Sequence, residues 1–281
     1  MDLDKNHLKS LDESIAAAMD SHDDVAIVPF LPYILQDFWE IGTPPETVIK
    51  FIETWHVNDL TGSNSINVLD LGCGKGAVSV KLAATLNCNC YGIDGIPEFI
   101  ETSKEKAKEY NVESLCRFEV GDIRDVDTQC FASLQGIYDV IILGAVGQVF
   151  GDYFSTLTTL SKLLNPDGII IINDAYTNDS IECKHPLVFH RCELLRQTKL
   201  SGMELIDECA DADLTGSKTC QGQNNAKEFE NLKKRCHELI TMYPQKTSLF
   251  EKYVQIQADE YEALENKMIC SMMVFRRFKI S

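Results

Sequence analysis

The sequence is poor in basic residues and has no long apolar run. Its 281 residues include 26 Lys and Arg against 43 Asp and Glu, a formal net charge of −17, and the basic residues form no cluster. Because such a surface repels phosphate backbones and anionic membranes, we expect no nucleic-acid and no membrane partner. No stretch approaches the roughly 18 apolar residues of a membrane span. The acidic, polar amino terminus is unlike a signal peptide.

The cysteines lack the spacing of a metal site. Among 11 cysteines, Cys88 and Cys90 are the one close pair, and no second pair stands at zinc spacing. An odd number of cysteines, scattered singly through apolar and helical segments, is typical of reduced thiols. We therefore expect a cytoplasmic protein without a metal site.

Short β-type runs recur along the chain, at residues 66–71, 89–94, 116–120, 138–143, 168–173, 203–208 and 269–278. Several of these runs show no polar alternation, which is typical of parallel strands covered on both faces. Patterns with apolar residues three and four apart separate them, as at 77–86 and 96–110. The alternation predicts an α/β fold with an open, doubly wound, mostly parallel sheet.

Two helical regions lie outside this alternation. Residues 1–65 contain Thr43-Pro44-Pro45-Glu46, which indicates a capped helix start, and we interpret the region as an N-terminal helical lid segment. Residues 222–265 carry two apolar stripes at helical spacing, broken near Tyr243-Pro244. We therefore predict a domain over 66–281 that contains a helical insertion before its last strand.

The stretch NVLDLGCGKGAV at residues 67–78 follows a strand and opens a helix. Its glycines allow backbone N–H groups to approach a ligand closely. Gly72-x-Gly74-x-x-Ala77 satisfies a loose dinucleotide fingerprint, so a nicotinamide cofactor is one interpretation. Asp70 stands two residues before Gly72, and its carboxylate is a poor neighbour for two phosphates. A ligand with an ammonium or sulfonium group is a better match.

Two further aspartates end the next two predicted strands. Asp94 lies 22 residues after Gly72, where a doubly wound fold holds ribose hydroxyls, and its carboxylate accepts hydrogen bonds from both. Asp122 stands at the third carboxyl end, within reach of an adenine amino group. Three aspartates in register favour a ligand site over three separate turn residues.

Taken in order, VLDLGCGKG, GID, GDI, YDVIILGAVGQVF and LNPDGIIIIND resemble the class I S-adenosylmethionine-dependent methyltransferases over roughly residues 45–180. The final SMMVFRRF is similar to the reversed seventh strand of that fold. The resemblance implies a seven-stranded Rossmann-like sheet with an antiparallel last strand, and S-adenosylmethionine as the cofactor. The Asn-Pro-Pro-Tyr-type motif of DNA amino-methylating enzymes is absent after the fourth strand, so the chain looks most like the small-molecule enzymes.

The resemblance also implies a set of cofactor-binding residues. From the methionine end through ribose and adenine to the sulfonium, these are Asp70, Gly72, Cys73, Gly74, Gly76, Asp94, Gly95, Asp122, Ile123, Leu143 and Gly144. In this family the N-terminal segment often folds over the cofactor. Trp39 would then shield the sulfonium by a cation–π contact, with core packing as the alternative.

The candidate acceptor-side residues follow the fifth strand. Methyl transfer from a sulfonium needs aligned reactants and excluded water, and it needs a general base only where the acceptor loses a proton. Asp174 at the strand end, Tyr176 two residues later and His185 are the candidate catalytic residues, with His190 beside them. Turn capping for Asp174 and surface packing for the histidines are the alternatives.

The sequence therefore predicts S-adenosylmethionine-dependent methyl transfer to a small-molecule acceptor. An NAD-linked Rossmann oxidoreductase is the alternative enzyme, because the glycines alone fit both cofactors. A cofactor-binding protein that regulates a partner without turnover, docked through 222–265, also stays open, as does methylation of a protein side chain. The acceptor and the oligomeric state are not predicted.

Overall fold

The computed structural model describes residues 10–19, 21, 24–55, 65–127, 137–179, 189–210, 221–266 and 268–278. Within these residues, eight strands form one sheet in the order β3-β2-β1-β4-β5-β8-β7, and β6 pairs with the end of β5. The strands are β1 (Asn67–Leu71), β2 (Asn89–Asp94), β3 (Cys116–Val120), β4 (Tyr138–Gly144), β5 (Leu164–Thr177), β6 (Phe189–His190), β7 (Met203–Ala210) and β8 (Ile269–Arg277).

The pairing confirms the predicted mostly parallel sheet with a reversed last strand. β1 pairs in parallel with β2 and β4, and the parallel pairing continues to β3 on one side and β5 on the other. β8 runs antiparallel between β5 and β7. The two-residue β6 is an addition that the sequence pattern did not predict.

Nine α-helices are described: α1 (Leu11–Ala18), α2 (Leu31–Ile34), α3 (Pro45–Trp55), α4 (Ala77–Leu86), α5 (Pro97–Glu109), α6 (Tyr153–Ser161), α7 (Arg191–Leu200), α8 (Gln221–Met242) and α9 (Thr247–Asn266). One apolar core joins a face of the sheet to α3, α4 and α5. A second core joins the opposite face to α6 and α7. Covering both faces explains why the central strands are continuously apolar.

The fifth strand is longer than its sequence pattern suggests. The turn-forming residues Asn165–Gly168 lie inside β5, at an irregularity where the partner of β4 shifts from Leu164 to Ile169. Gly168 is required there, because a Cβ would lie 3.0 Å from the carbonyl oxygens of Tyr138 and Asp139. At its other end β5 continues past Asp174 to Thr177.

A third apolar core lies away from the sheet and joins the N-terminal segment to the helical insertion. Ile27, Leu31 and Ile34 pack with residues of α8 and α9, such as Leu239 and Phe250. α8 and α9 are separated at Pro244–Lys246, close to the predicted break. We call residues 25–41 together with α8 and α9 the cap. None of the described helices is long and apolar enough to cross a membrane.

Candidate functional site

The carboxyl ends of β1, β2, β3 and β4 bring the predicted cofactor-binding residues to one edge of the sheet. The glycine loop, residues 72–76, folds back on β2, since the N–H groups of Gly72 and Cys73 donate to the carbonyl oxygen of Ile93 at 2.9 and 3.1 Å. Gly74 N–H donates to Asp94 Oδ2 at 2.9 Å. Loop and carboxylate therefore form one unit, as expected from parallel strands that end at the same edge.

The glycines of the loop have left-handed backbones but face different surroundings. A Cβ on Gly72 (φ +72°) would lie 2.4 Å from Val146 Cγ1, and one on Gly76 (φ +74°) would lie 2.8 Å from Ser103. A Cβ on Gly74 (φ +52°) would meet no atom within 4 Å. Gly72 and Gly76 are therefore required by packing, whereas Gly74 presents bare backbone beside open space, as a ligand cradle does.

Asp94 keeps acceptor capacity for a ligand. Its Oδ2 receives Gly74 N–H, and its Oδ1 receives Ile96 N–H at 2.9 Å. Burial raises the pKa of Asp94, while these backbone donors act in the opposite direction. Gly95 N–H also acts on this carboxylate. Because a carboxylate has about four lone-pair sites, acceptor capacity still remains for a hydroxyl group such as one of a ribose.

The first helix covers this part of the edge. A Cβ on Gly95 would lie 2.8 Å from Ile15 Cδ1 and 3.1 Å from Leu11 Cδ1, so α1 packs directly on the backbone that follows Asp94. The helix is held by a capping box between Ser10 and Glu13. An N-terminal segment thus lies over the predicted ribose position.

Asp122 and Ile123 lie at the same edge, but the carboxylate of Asp122 is already paired. It accepts from the backbone N–H and the Nε–H of Arg124, both at 2.9 Å. Arg124 holds the pKa of Asp122 below its ordinary value. Ile123 packs into the second core. The predicted contact of Asp122 with an adenine amino group therefore competes with an ion pair.

Asp70 lies beneath the glycine loop rather than in it. Its Oδ2 accepts a hydrogen bond from Ser79 Oγ of α4 at 2.6 Å, and its side chain is buried. Burial raises the pKa of Asp70 from 3.8 to about 6, and Asp94 contributes in the same direction. Cys73 is also buried, and burial raises the pKa of its thiol well above the ordinary value. Asp70 therefore acts on the loop through its charge.

The end of β4 meets the N-terminal segment. A Cβ on Gly144 would lie 2.3 Å from Thr43 Oγ1, and the next residue, Ala145, has a left-handed φ of +54°. Thr43 Oγ1 accepts from Asn173 Nδ2 of β5 at 3.3 Å. Leu143 is buried in the second core. Neither Thr43 nor Asn173 was expected at this site from the sequence, because only the fold shows that they meet at Gly144.

Asp174 is the candidate catalytic residue with the most distinctive environment. Its Oδ2 accepts from Tyr153 Oη of α6 at 2.9 Å. Burial raises the pKa of Asp174, and the hydrogen bonds from Ala175 N–H and Tyr153 oppose that rise. Tyr153 is buried, and its pKa lies well above the ordinary value, so it remains a proton donor. Sequence reasoning missed Tyr153, although it follows the helix-capping Asp152.

The other candidate acceptor-side residues are Tyr176, His185 and His190. Tyr176 Oη donates to Glu208 at 2.7 Å, and the guanidinium of Arg191 lies 5.1 Å from the centre of its ring, so its hydroxyl already has a carboxylate partner. His190 Nδ1 lies 3.1 Å from Thr177 Oγ1 at the start of α7. His185 falls outside the described residues. In the part of the chain that the structure describes, no group of His, Cys, Asp and Glu could hold a metal ion.

Trp39 packs behind the glycine loop. Its Nε1–H donates to the carbonyl oxygen of Lys75 at 2.9 Å, and its ring lies 5.1 Å from the ring of Tyr110. Lys106 Nζ stands 5.0 Å from the indole and Lys81 Nζ 5.9 Å. The cation–π partners of Trp39 are thus two lysines, so the structure favours the packing interpretation over sulfonium shielding.

Comparison with known proteins supports the family resemblance seen in the sequence. A family model described as a methyltransferase domain matches residues 63–252. The chain is 31% identical over 113 residues to malonyl-[acyl-carrier protein] O-methyltransferase of Acetivibrio thermocellus, covering 40% of this chain and 36% of that protein. It is 30% identical over 109 residues to ribosomal protein L11 methyltransferase of Thermosipho africanus, covering 38% and 37%. The chain thus matches less than half the length of these relatives.

Solved structures share the fold at low identity. An S-adenosylmethionine-dependent methyltransferase from Geobacter sulfurreducens, crystallised with S-adenosylhomocysteine, superposes with a TM-score of 0.66 at 17% identity, covering 89% of this chain and 98% of that one. The [4+2]-cyclase SpnF superposes equally well, with a TM-score of 0.66 at 14% identity over 95% and 96%. Because the fold carries both kinds of protein, the reaction must be argued from the site.

Proposed function

Because the chain belongs to the methyltransferase-domain family, we propose that it transfers the methyl group of S-adenosylmethionine to a small-molecule acceptor. The observation that carries the proposal is the unit formed by the bare Gly74 backbone and the Asp94 carboxylate at the carboxyl edge of the sheet. The strand order ends in β5-β8-β7 with β8 antiparallel, which differs from the 3-2-1-4-5-6 order of dinucleotide-binding folds and argues against the NAD-linked alternative.

The residues at this edge fit the cofactor. The backbone of the glycine loop would hold the methionine end, with the negative charge of Asp70 behind it, and Asp94 would accept hydrogen bonds from the ribose hydroxyls. Ile123 would lie beside the adenine, and Gly144 beside the sulfonium. When bound, S-adenosylmethionine supplies an electrophilic methyl group on a good leaving group. The protein's part is to align the acceptor with that group and to exclude water.

The acceptor side is proposed to lie at Asn173 and Asp174. Both side chains are only partly buried, and they follow the buried run of β5 where Thr43 and Gly144 also converge. The raised pKa of Asp174 makes its carboxylate a stronger base, and Tyr153 orients it with a hydrogen bond. Asp174 is thereby suited to accept a proton from a hydroxyl or amino acceptor as the methyl group transfers.

Binding measurements test the cofactor part of the proposal. Isothermal titration calorimetry should show binding of S-adenosylhomocysteine and none of NAD, and the reverse pattern would replace the proposal with the oxidoreductase alternative. Binding of S-adenosylhomocysteine without transfer of labelled methyl to any fraction of a metabolite extract would favour a regulatory protein. The exclusion of nucleic acid as a partner and the cytoplasmic location stay predictions.

Substitutions at Tyr153 test the acceptor side. We expect Tyr153→Phe to lower methyl transfer by at least about 10-fold, because Asp174 loses its orienting donor, with S-adenosylhomocysteine affinity unchanged. Tyr91→Phe is the matched control, since Tyr91 also donates to a carboxylate, that of Glu119 at 2.5 Å, from the middle of β2. Equal transfer rates in the two variants would remove Tyr153 and Asp174 from the proposed acceptor site.

A further inference from the structure

Lys75 is the one charged residue of the glycine loop, and it bonds to the cap. Its Nζ donates to the carbonyl oxygens of Leu35 and Phe38, each at 2.5 Å, and the residue is only 6% exposed. A third hydrogen bond runs from the cap to the loop, because Trp39 Nε1–H donates to the carbonyl oxygen of Lys75 at 2.9 Å. Three hydrogen bonds thus join one residue of the loop to residues 35–39.

The surroundings of Lys75 make this attachment energetically unusual. Among the described residues, no carboxylate lies within ion-pair distance of Lys75 Nζ. Asp37 acts on the ammonium group only by longer-range electrostatic attraction. The ring of Phe99 lies 5.4 Å from Nζ. Burial lowers the pKa of Lys75 to about 8, with Asp37 opposing that effect. A buried ammonium group held mainly by carbonyl oxygens is costly, so a turn alone would not require lysine here.

The segment that Lys75 holds is itself attached to the helical insertion. Asp37 receives both Nε–H and Nη2–H of Arg235 at 2.6 Å, and Tyr33 Oη donates to Glu238 at 2.8 Å. Arg235 also binds Glu238 at 2.9 Å, so both α8 residues act as one charged cluster. A continuous set of contacts therefore leads from α8 through residues 33–38 to Lys75.

We propose that Lys75 is a positioning residue that ties the glycine loop to the cap, so that docking of the cap and binding of the cofactor strengthen each other. This inference rests on the proposed function for the identity of the ligand. Gly74, which presents its bare backbone to the ligand, directly precedes Lys75, so the three hydrogen bonds restrain the peptide that the cofactor must meet. Coupling between two sites is reciprocal, and α8 should therefore sense cofactor binding.

Lys75→Met tests the attachment, with S-adenosylhomocysteine as the probe. Methionine keeps most of the apolar stem and removes the ammonium group. We expect the dissociation constant measured by calorimetry to rise about 10-fold, within the usual range of coupling between sites. Lys106→Met is the control. Lys75 and Lys106 line one cavity of about 320 Å³ between the glycine loop, α5 and residues 32–39, and Lys106 also lies over the Trp39 ring, but its ammonium group pairs with Glu109. Equal affinities in the two variants would overturn the inference.

Hydrogen exchange separates this inference from the proposed function. In the free protein, Lys75→Met should speed exchange of the amides at 72–76 and 35–39, and unchanged exchange would overturn the inference whether or not the protein binds S-adenosylhomocysteine. In the wild type, the probe should protect amides of α8, and the variant should lose that protection. If Lys75 were needed only for packing, Lys75→Met would lower the melting temperature but leave the ligand-dependent protection of α8 unchanged.

A second variant covers the case in which Lys75→Met does not fold. Arg235→Met removes the ion pair between α8 and Asp37 and leaves Lys75 itself unchanged. We expect the affinity for S-adenosylhomocysteine to fall about 5-fold and exchange at 72–76 to quicken. Wild-type affinity together with wild-type exchange at the loop would show that the cap and the loop are independent.

Discussion

Replacing Asp70 by asparagine should stabilise the fold at neutral pH and leave its stability nearly unchanged at pH 4. Burial raises the pKa of Asp70 from 3.8 to about 6. Between these values the native state holds a proton that the unfolded state has released, so wild-type stability falls as pH rises through this window. Each pH unit corresponds to about 1.4 kcal/mol, so the full effect is ~3 kcal/mol above pH 6. Asparagine carries no charge and avoids this cost.

Urea unfolding at pH 4, 5, 6 and 7 measures this effect in the free energy of unfolding. The difference between Asp70→Asn and wild type should grow by ~2.4 kcal/mol over the series, because ~0.5 kcal/mol of the full effect is already present at pH 4. Any constant offset reports the change in the hydrogen bond with Ser79 and does not affect the slope. A stability difference that stays constant or shrinks with rising pH would refute the reasoning. Ionising a buried carboxylate destabilises the wild type, so the variant must become more stable relative to it as pH rises.

Asp122→Asn is a control of opposite sign. Arg124 holds the pKa of Asp122 below its ordinary value, so this ion pair stabilises the native state above the unfolded pKa and loses its effect as pH falls. The variant should therefore be less stable than wild type at pH 7, and the deficit should fade towards acid pH. Opposite trends in the two variants would exclude a general effect of removing one negative charge from an acidic protein.

The other predictions concern the glycine loop and the ribose position. Asp94→Ala should weaken S-adenosylhomocysteine binding by ~1–3 kcal/mol in calorimetry, as for a lost charged hydrogen bond, and unchanged affinity in a folded variant would refute the ribose assignment. Gly74→Ala should cost only ~1–2 kcal/mol of stability from its left-handed backbone while impairing binding. Gly72→Ala should cost ~1–3 kcal/mol more, because its Cβ overlaps Val146, and Val146→Ala should restore part of it. Wild-type affinity of Gly74→Ala for S-adenosylhomocysteine would contradict the proposal that the ligand meets the bare backbone at Gly74.

The predictions from sequence were strongest where a residue's position follows from the strand pattern alone. Asp94 and Gly144 end strands whose apolar runs are visible in the sequence, and parallel strands must end at the same edge. The carboxylate of Asp122 was predicted at the right edge, but its partner Arg124 was overlooked although it lies only two residues away. That ion pair could have been found from the sequence.

Tyr176 and Trp39 show where sequence reasoning ends. Tyr176 is the second residue after Asp174, yet its hydroxyl donates to Glu208 on β7, which lies much further along the chain. Trp39 lies in an aromatic stretch, but its partners Lys75 and Lys106 come from two different elements. A side chain's environment depends on which distant segments reach it, and local patterns carry no information about that.

The sequence by itself determined the α/β alternation, the reversed last strand, the family resemblance and the edge at which the glycine loop, Asp94 and Asp122 meet. The alternation and the shared edge follow from short-range periodicity and from the topological rule that parallel strands share a carboxyl edge, whereas the reversed last strand was implied by the family resemblance. Only the tertiary structure decided that Thr43 meets Gly144, that Tyr153 orients Asp174, and that Lys75 holds the cap. Each of these contacts joins residues that are far apart in the chain or on different elements, and their proximity is set by packing of the three cores.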